Sequence, residues 1–108
     1  MNTRAEKPRA RDMGLVFDGS TGPHNAITDI SGVLVGYTTL IQGEGEVEVG
    51  KGPVRTGVTA ILPRGRREKP SPIWAGHTYL NGNGEMTGTH WINDVGYFIS
   101  PVIITNTF

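Results

Sequence analysis

Two runs, Val33 to Ile41 and Val54 to Leu62, set the terms for any fold this chain can take. In the first, Val33, Val35, Tyr37, Thr39 and Ile41 fall on one face of an extended strand. Leu34, Gly36, Thr38 and Leu40 fall on the other, because successive side chains of a strand point to opposite sides. Both sets are apolar, which predicts a strand covered on both faces. The second run is equally rich in β-branched residues, and Pro63, which has no N–H to continue a ladder, closes it. Val, Ile and Thr number 30 of the 108 residues, against 20 for Ala, Leu, Glu, Lys and Gln. That excess of stiff β-formers over helix formers predicts a sheet-rich α+β chain.

The rest of the chain reads around those two strands. Gly43 to Gly50 alternates Glu and Val and predicts a half-exposed edge or loop hairpin. Residues 64–72 are a loop on composition, and Ile73 to Leu80 reads as a third main strand. A short helix is expected through His90, Trp91 and Ile92, stopped at Gly96. Pro101 then opens a last strand, Val102 to Thr105, which runs to Phe108 as if the chain were cut within or just after it. Residues 1–13 carry four basic and two acidic side chains and predict a flexible N-terminal arm. Residues 14–108 form one domain or part of one. Sixteen glycines, about twice the usual share, contribute no side chains to a core. The core expected is thin, as in a piece of something larger.

Charge and composition close off several functions. Ten Lys and Arg balance ten Asp and Glu, giving a formal net charge of zero, which argues against a polyanion binder. Without cysteine there is no disulfide, thiolate metal site or cysteine nucleophile. The longest apolar runs, Tyr97-Phe98-Ile99 and Val102-Ile103-Ile104, are far too short to span a bilayer. The N-terminus has no apolar stretch of the signal-peptide kind. The expectation is a cytoplasmic protein without nucleic-acid or membrane partners.

Most motifs have a plain reading. Gly45 to Lys51 matches the front of a phosphate-binding loop, but Gly52 and Pro53 stand where a magnesium-binding hydroxyl and a helix should follow. An exposed turn is favoured. Arg64, Arg66, Arg67 and Lys69 form a basic cluster with no interleaved aromatic, so a solvated loop is favoured over a binding patch. His24, His77 and His90 lack metal-ligand spacing, and none of the four serines sits in a nucleophile elbow. No metal site is expected. Asn81-Gly82-Asn83-Gly84-Glu85 is the least ordinary segment. Its doubled Asn-Gly pairs predict backbone with positive φ, either as a hairpin turn or as a concavity of amides lining a site.

Several blocks taken together resemble a known family. They are Asn25-Ala26-Ile27-Thr28-Asp29, Gly32 to Gly36, Val54 to Arg64, Asn81 to Gly88 and Thr105-Asn106-Thr107, in that order. They are similar to the DmpA-type aminopeptidases, the L-aminopeptidase/D-esterase-amidase enzymes and the related β-peptidyl aminopeptidases. The likeness runs from about Arg11 to Thr107. It implies the β-rich portion of a four-layer αββα sandwich shared with ornithine acetyltransferases, incomplete in this chain. It also implies autoproteolysis before a serine whose freed α-amine then serves as the base for its own hydroxyl. Such enzymes release N-terminal amino acids from small peptides, amides and esters, without metal or cofactor, and form homo-oligomers of processed heterodimers.

Family members are several times longer, and both the nucleophilic serine and the acidic residue for the substrate amine lie beyond the matching region. No catalytic residue carries over. Within the opening part of the α chain, Asn81, Asn83, Glu85, Thr105 and Asn106 are the residues the resemblance offers for shaping a substrate pocket. The chain departs from the family at Ile92-Asn93-Asp94-Val95, where members carry more acidic residues, and at Phe108, which stands where members commonly have His or another residue leading into Ser-Val-Gly. The expectation is an N-terminal fragment, inactive alone, that needs the remainder of the parent chain. The rival reading is a self-standing β-rich binding module using the Asn-Gly loop for a small ligand.

Overall fold

The computed structural model describes residues 7–106. Three strands, β1 (Leu34–Gln42), β2 (Val54–Leu62) and β5 (Val102–Thr105), form an antiparallel sheet in the order β1-β2-β5. A ribbon of β3 (Ile73–Trp74) and β4 (Tyr97–Phe98) lies apart from it, with helix α1 (Thr89–Val95) leading into β4. The β1–β2 register runs from Leu34 opposite Leu62 to Gln42 opposite Val54. On the other edge of β2, Val58 faces Thr105 and Ile61 faces Val102.

Directly paired residues share a face. Val35, Tyr37, Ile41, Ile61 and Ile104 therefore line one side of the sheet, and Leu34, Leu40, Val58, Leu62 and Ile103 the other. The cover predicted for both sides of β1 is not supplied by the described residues. Leu40 is 51% exposed on one face and Tyr37 is 77% exposed on the other. No described residue is buried. The accessible surface is 10100 Å², where a compact monomer of this mass would show roughly 5,800 Å². The radius of gyration, 17.6 Å, likewise exceeds the about 13 Å of a compact chain of this length. The sheet is formed but unburied.

Local chemistry explains the element ends. Arg55 closes the open end of the β1–β2 pair by donating to the Gln42, Gly43 and Val54 carbonyls at 3.0, 2.8 and 2.7 Å. Gly57 lets the strands approach, since a Cβ there would lie 2.7 Å from the Thr38 carbonyl oxygen. The Glu/Val alternation of 43–50 makes no hairpin of its own. It forms a turn with a single bridge between Glu48 and Gly52, and Lys51 pairs with Glu48 at 2.5 Å. Gly96, at φ +72°, ends α1 and returns its N–H to the Ile92 carbonyl at 2.8 Å.

The expected third main strand is a correction. Only Ile73 and Trp74 pair, with Phe98 and Tyr97, and the Ala75 N–H adds one bond to the Gly96 carbonyl at 2.9 Å. Burial still alternates from Ser71 to Thr78, so the extended character is present. A ladder needs a facing strand of matching length, and β4 offers two residues before Pro101.

Of the expected N-terminal arm, residues 1–6 lie outside the described residues. Residues from Arg9 onward form a turn in which Asp12 accepts the Arg9 N–H at 2.8 Å. The Arg9 guanidinium reaches across to the His24 and Asn25 carbonyls, each at 2.7 Å. No helix among the described residues is long and apolar enough to cross a membrane.

Candidate functional site

The 81–88 loop carries the chain from its extended segment into α1. Asn81 Oδ1 accepts the Asn83 N–H at 3.0 Å, an Asx turn that folds the loop on itself. Gly82 takes the predicted positive φ, +68°, and Gly84 does not. No strand follows the loop, so it is not the turn of a hairpin.

Between this loop, α1 and the run from Phe98 to Asn106 lies an open depression of about 1100 Å³. Asn83 and Glu85 line it from the loop, and Thr105 and Asn106 from the end of β5. Asn81 does not line it and acts on the loop's shape instead. Four of the five residues singled out from the sequence thus meet around one space, although about twenty residues of chain separate the two pairs.

Sequence reasoning missed the apolar wall. Trp91 and Ile92 of α1 and Phe98 of β4 complete the depression. Trp91 is set edge-on against Tyr97, 6.0 Å between centroids, and Tyr97 meets Trp74 in the same way at 6.3 Å. Such T-shaped contacts fix ring orientation. The available signal was the spacing of Trp91 from Tyr97 across Gly96, a helix stop that folds one ring back on the other.

Thr105 and Asn106 direct their polar atoms toward β2. The Thr105 hydroxyl donates to the Gly57 carbonyl at 2.8 Å. Asn106 Oδ1 accepts from the Thr56 hydroxyl and from the Gly57 N–H, and Nδ2 donates to the Arg55 carbonyl at 3.4 Å. These two residues shape the wall by pinning the strand end.

Glu85 makes no hydrogen bond or ion pair among the described residues, which leaves an unpaired carboxylate on a depression that Trp91 and Phe98 also line. That combination suits a cationic group attached to an apolar body. The Thr87 and Ser100 residues also line the depression, but no histidine or lysine does, so its walls offer no pairing of a hydroxyl with a nitrogen base. Among the described residues no group of three or more His, Cys, Asp or Glu could hold a metal ion. Asp29, outside the depression, has its carboxyl held below the ordinary value, chiefly by the His24 N–H it accepts at 2.8 Å. Partial desolvation opposes this, and the Ala26 N–H at 3.2 Å adds to it.

The sequence profile of Peptidase family S58 matches residues 25–108. A β-peptidyl aminopeptidase, BapA, of Sphingosinicella microcystinivorans is 60% identical over 103 residues, which is 95% of this chain and 26% of that protein. The BapA of Sphingosinicella xenopeptidilytica is 50% identical over 100 residues, 93% of this chain and 25% of that protein. The chain therefore spans about a quarter of the length of these relatives. Among solved structures, the L-aminopeptidase D-Ala-esterase/amidase of Ochrobactrum anthropi superposes with a TM-score of 0.77 at 63% identity, over 94% of this chain and 28% of that one. That enzyme is described as a prototype of the serine aminopeptidases and a variant of the Ntn hydrolase fold. The PH0078 protein of Pyrococcus horikoshii OT3 gives 0.79 at 40% identity, over 93% and 29%. The β-rich piece described above is thus a part of that fold, and with most of its length matched in sequence and in structure, the chain belongs to Peptidase family S58.

Proposed function

We propose that this chain is the N-terminal part of the α chain of an autoprocessing serine aminopeptidase, inactive by itself. The parent would release N-terminal amino acids from small peptides, amides or esters. One observation carries the reading. A sheet that is apolar and exposed on both faces belongs to a chain that aligns along 95% of its length with only 26% of a β-peptidyl aminopeptidase. The surface left uncovered, some 4,000 Å² beyond a compact monomer, is more than a typical protein interface buries. Further layers of the same protein, in a four-layer αββα sandwich, would cover it.

In this reading the nucleophilic serine lies in the remainder of the parent. It attacks the carbonyl that precedes it, the resulting ester hydrolyses, and the freed α-amine takes the proton of the serine hydroxyl during acyl transfer. This chain contributes the depression. Glu85 and Asn83 face the polar end of the substrate, and Trp91 and Phe98 face its side chain. The parent is cytoplasmic and assembles as a homo-oligomer.

The isolated chain should release no p-nitroaniline from an aminoacyl p-nitroanilide, and turnover should appear once the remaining three quarters of a parent is supplied. Turnover by the chain alone, with metals chelated, would sink the proposal. The reading frame just past codon 108 provides a second test, since it should continue into Ser-Val-Gly. The rival reading, a self-standing binding module, requires a cooperative thermal transition of the isolated chain.

A further inference from the structure

Six arginines fall among the described residues, and they divide into two kinds. Arg9 and Arg55 donate to backbone carbonyls across the chain, and Arg11 reaches the Phe17 carbonyl and ring. The side chains of Arg64 and Arg66 make no hydrogen bond or ion pair among the described residues, and Arg67 donates only through Nε, to the Arg64 carbonyl at 3.1 Å. The three with uncommitted guanidinium forks are exposed and border one open surface depression of about 530 Å³. Leu62, Pro63, Ile73 and Pro101 line it with them, and no aromatic residue does. Glu68 also borders it, but the ion pairing among the described residues is confined to Lys51 and Glu48.

The backbone beneath these side chains is set. The Gly65 N–H donates to the Leu62 carbonyl at 3.0 Å, which makes a tight turn directly off the end of β2. Gly65 sits at φ +66°, and a Cβ there would lie 3.0 Å from the Gly32 carbonyl oxygen. Only glycine fits that close approach with left-handed backbone. Arg64 and Arg66 therefore leave the turn from fixed positions.

We propose that this turn is a binding site for a small carboxylate carried on an apolar body. The guanidinium fork matches a carboxylate through two parallel hydrogen bonds, and the aliphatic lining accepts the rest of the ligand. A bare phosphate would satisfy the arginines but gain nothing from Leu62, Ile73 and the prolines. A nucleic-acid strand would lack stacking partners. The proposal stands apart from peptide hydrolysis and does not depend on it.

The test is a titration with 3-phenylpropionate of the isotopically labelled chain assembled with the unlabelled remainder of a parent, followed through backbone amides of residues 62–73. Parallel titrations use the neutral 3-phenylpropionamide and inorganic phosphate. Saturable shifts are expected with the carboxylate alone. R64Q/R66Q, which removes no internal hydrogen bond, should weaken binding at least about tenfold, the effect of losing a charge-assisted contact. K51Q, a neutralisation elsewhere on the surface, should not. An R64K/R66K variant keeps the charge without the fork and should fall between. Equal binding of the amide, phosphate binding as tight as the carboxylate, an unaffected R64Q/R66Q variant, or no saturation would each overturn the proposal.

Discussion

Asn106 and Thr56, fifty residues apart, are joined side chain to side chain where β5 ends against β2. The same carboxamide oxygen takes the Gly57 N–H, and its nitrogen reaches the Arg55 carbonyl. One amide thus engages three consecutive residues of the central strand. Asn106→Ala should speed exchange of the Gly57 amide and of the β5 amides, with little change in β1. The expected cost is about 1–2 kcal/mol, from hydrogen bonds that contribute about 1 kcal/mol each. Hydrogen-exchange mass spectrometry resolves the two edges, and uniform loosening of β1 and β5 would refute the local role.

Two glycines in the sheet should respond in opposite ways to the same change. Gly57→Ala places a methyl against the Thr38 carbonyl, whereas Gly36→Ala meets nothing within 4 Å. The first should destabilise the β1–β2 pair by about 1–3 kcal/mol, and the second should be close to neutral or slightly favourable. Hydrogen exchange of the β1 and β2 amides in this chain measures both.

Acid should loosen the 22–29 loop, and the sign follows from Asp29. Its folded-state carboxyl titrates below the ordinary aspartate value of 3.8. The loop contacts it supports are therefore complete above that value and are lost as pH falls through the lower folded one. Amide shifts of His24 and Ala26 should follow that single titration. In Asp29→Asn they should lose it.

Trp74 and Trp91 report on cover. They are 83% and 54% exposed, so the isolated chain should emit like indole in water. Joining it to the remainder of a parent should move the emission to shorter wavelength. W74F and W91F assign the change to each ring, and an unchanged spectrum on assembly would speak against the fragment reading.

The strands were legible where local chemistry decides them. β2 begins and ends as its β-branched run does, between Pro53 and Pro63, and α1 stops at Gly96 because a glycine can take left-handed backbone there. The segment after Ile73 shows what a period-two pattern does not contain. It sets extended backbone but is silent on whether a partner strand exists, and β4 is too short to supply one. At the depression, the Asx turn of Asn81 is a three-residue event and could be read locally. The turning of Asn106 toward Thr56 depends on register across β2, which only the folded sheet displays.

The strand order β1-β2-β5 also carries a timetable. During synthesis, β1 and β2 can pair as soon as Leu62 is free of the ribosome, but the other edge of β2 waits for Val102 to Thr105, roughly forty residues later. For a few seconds at ordinary translation rates, the residues from Val58 to Ile61 present an open, apolar strand edge to the cell. Until β5 arrives, that edge is a place where a nascent chain can pair with another.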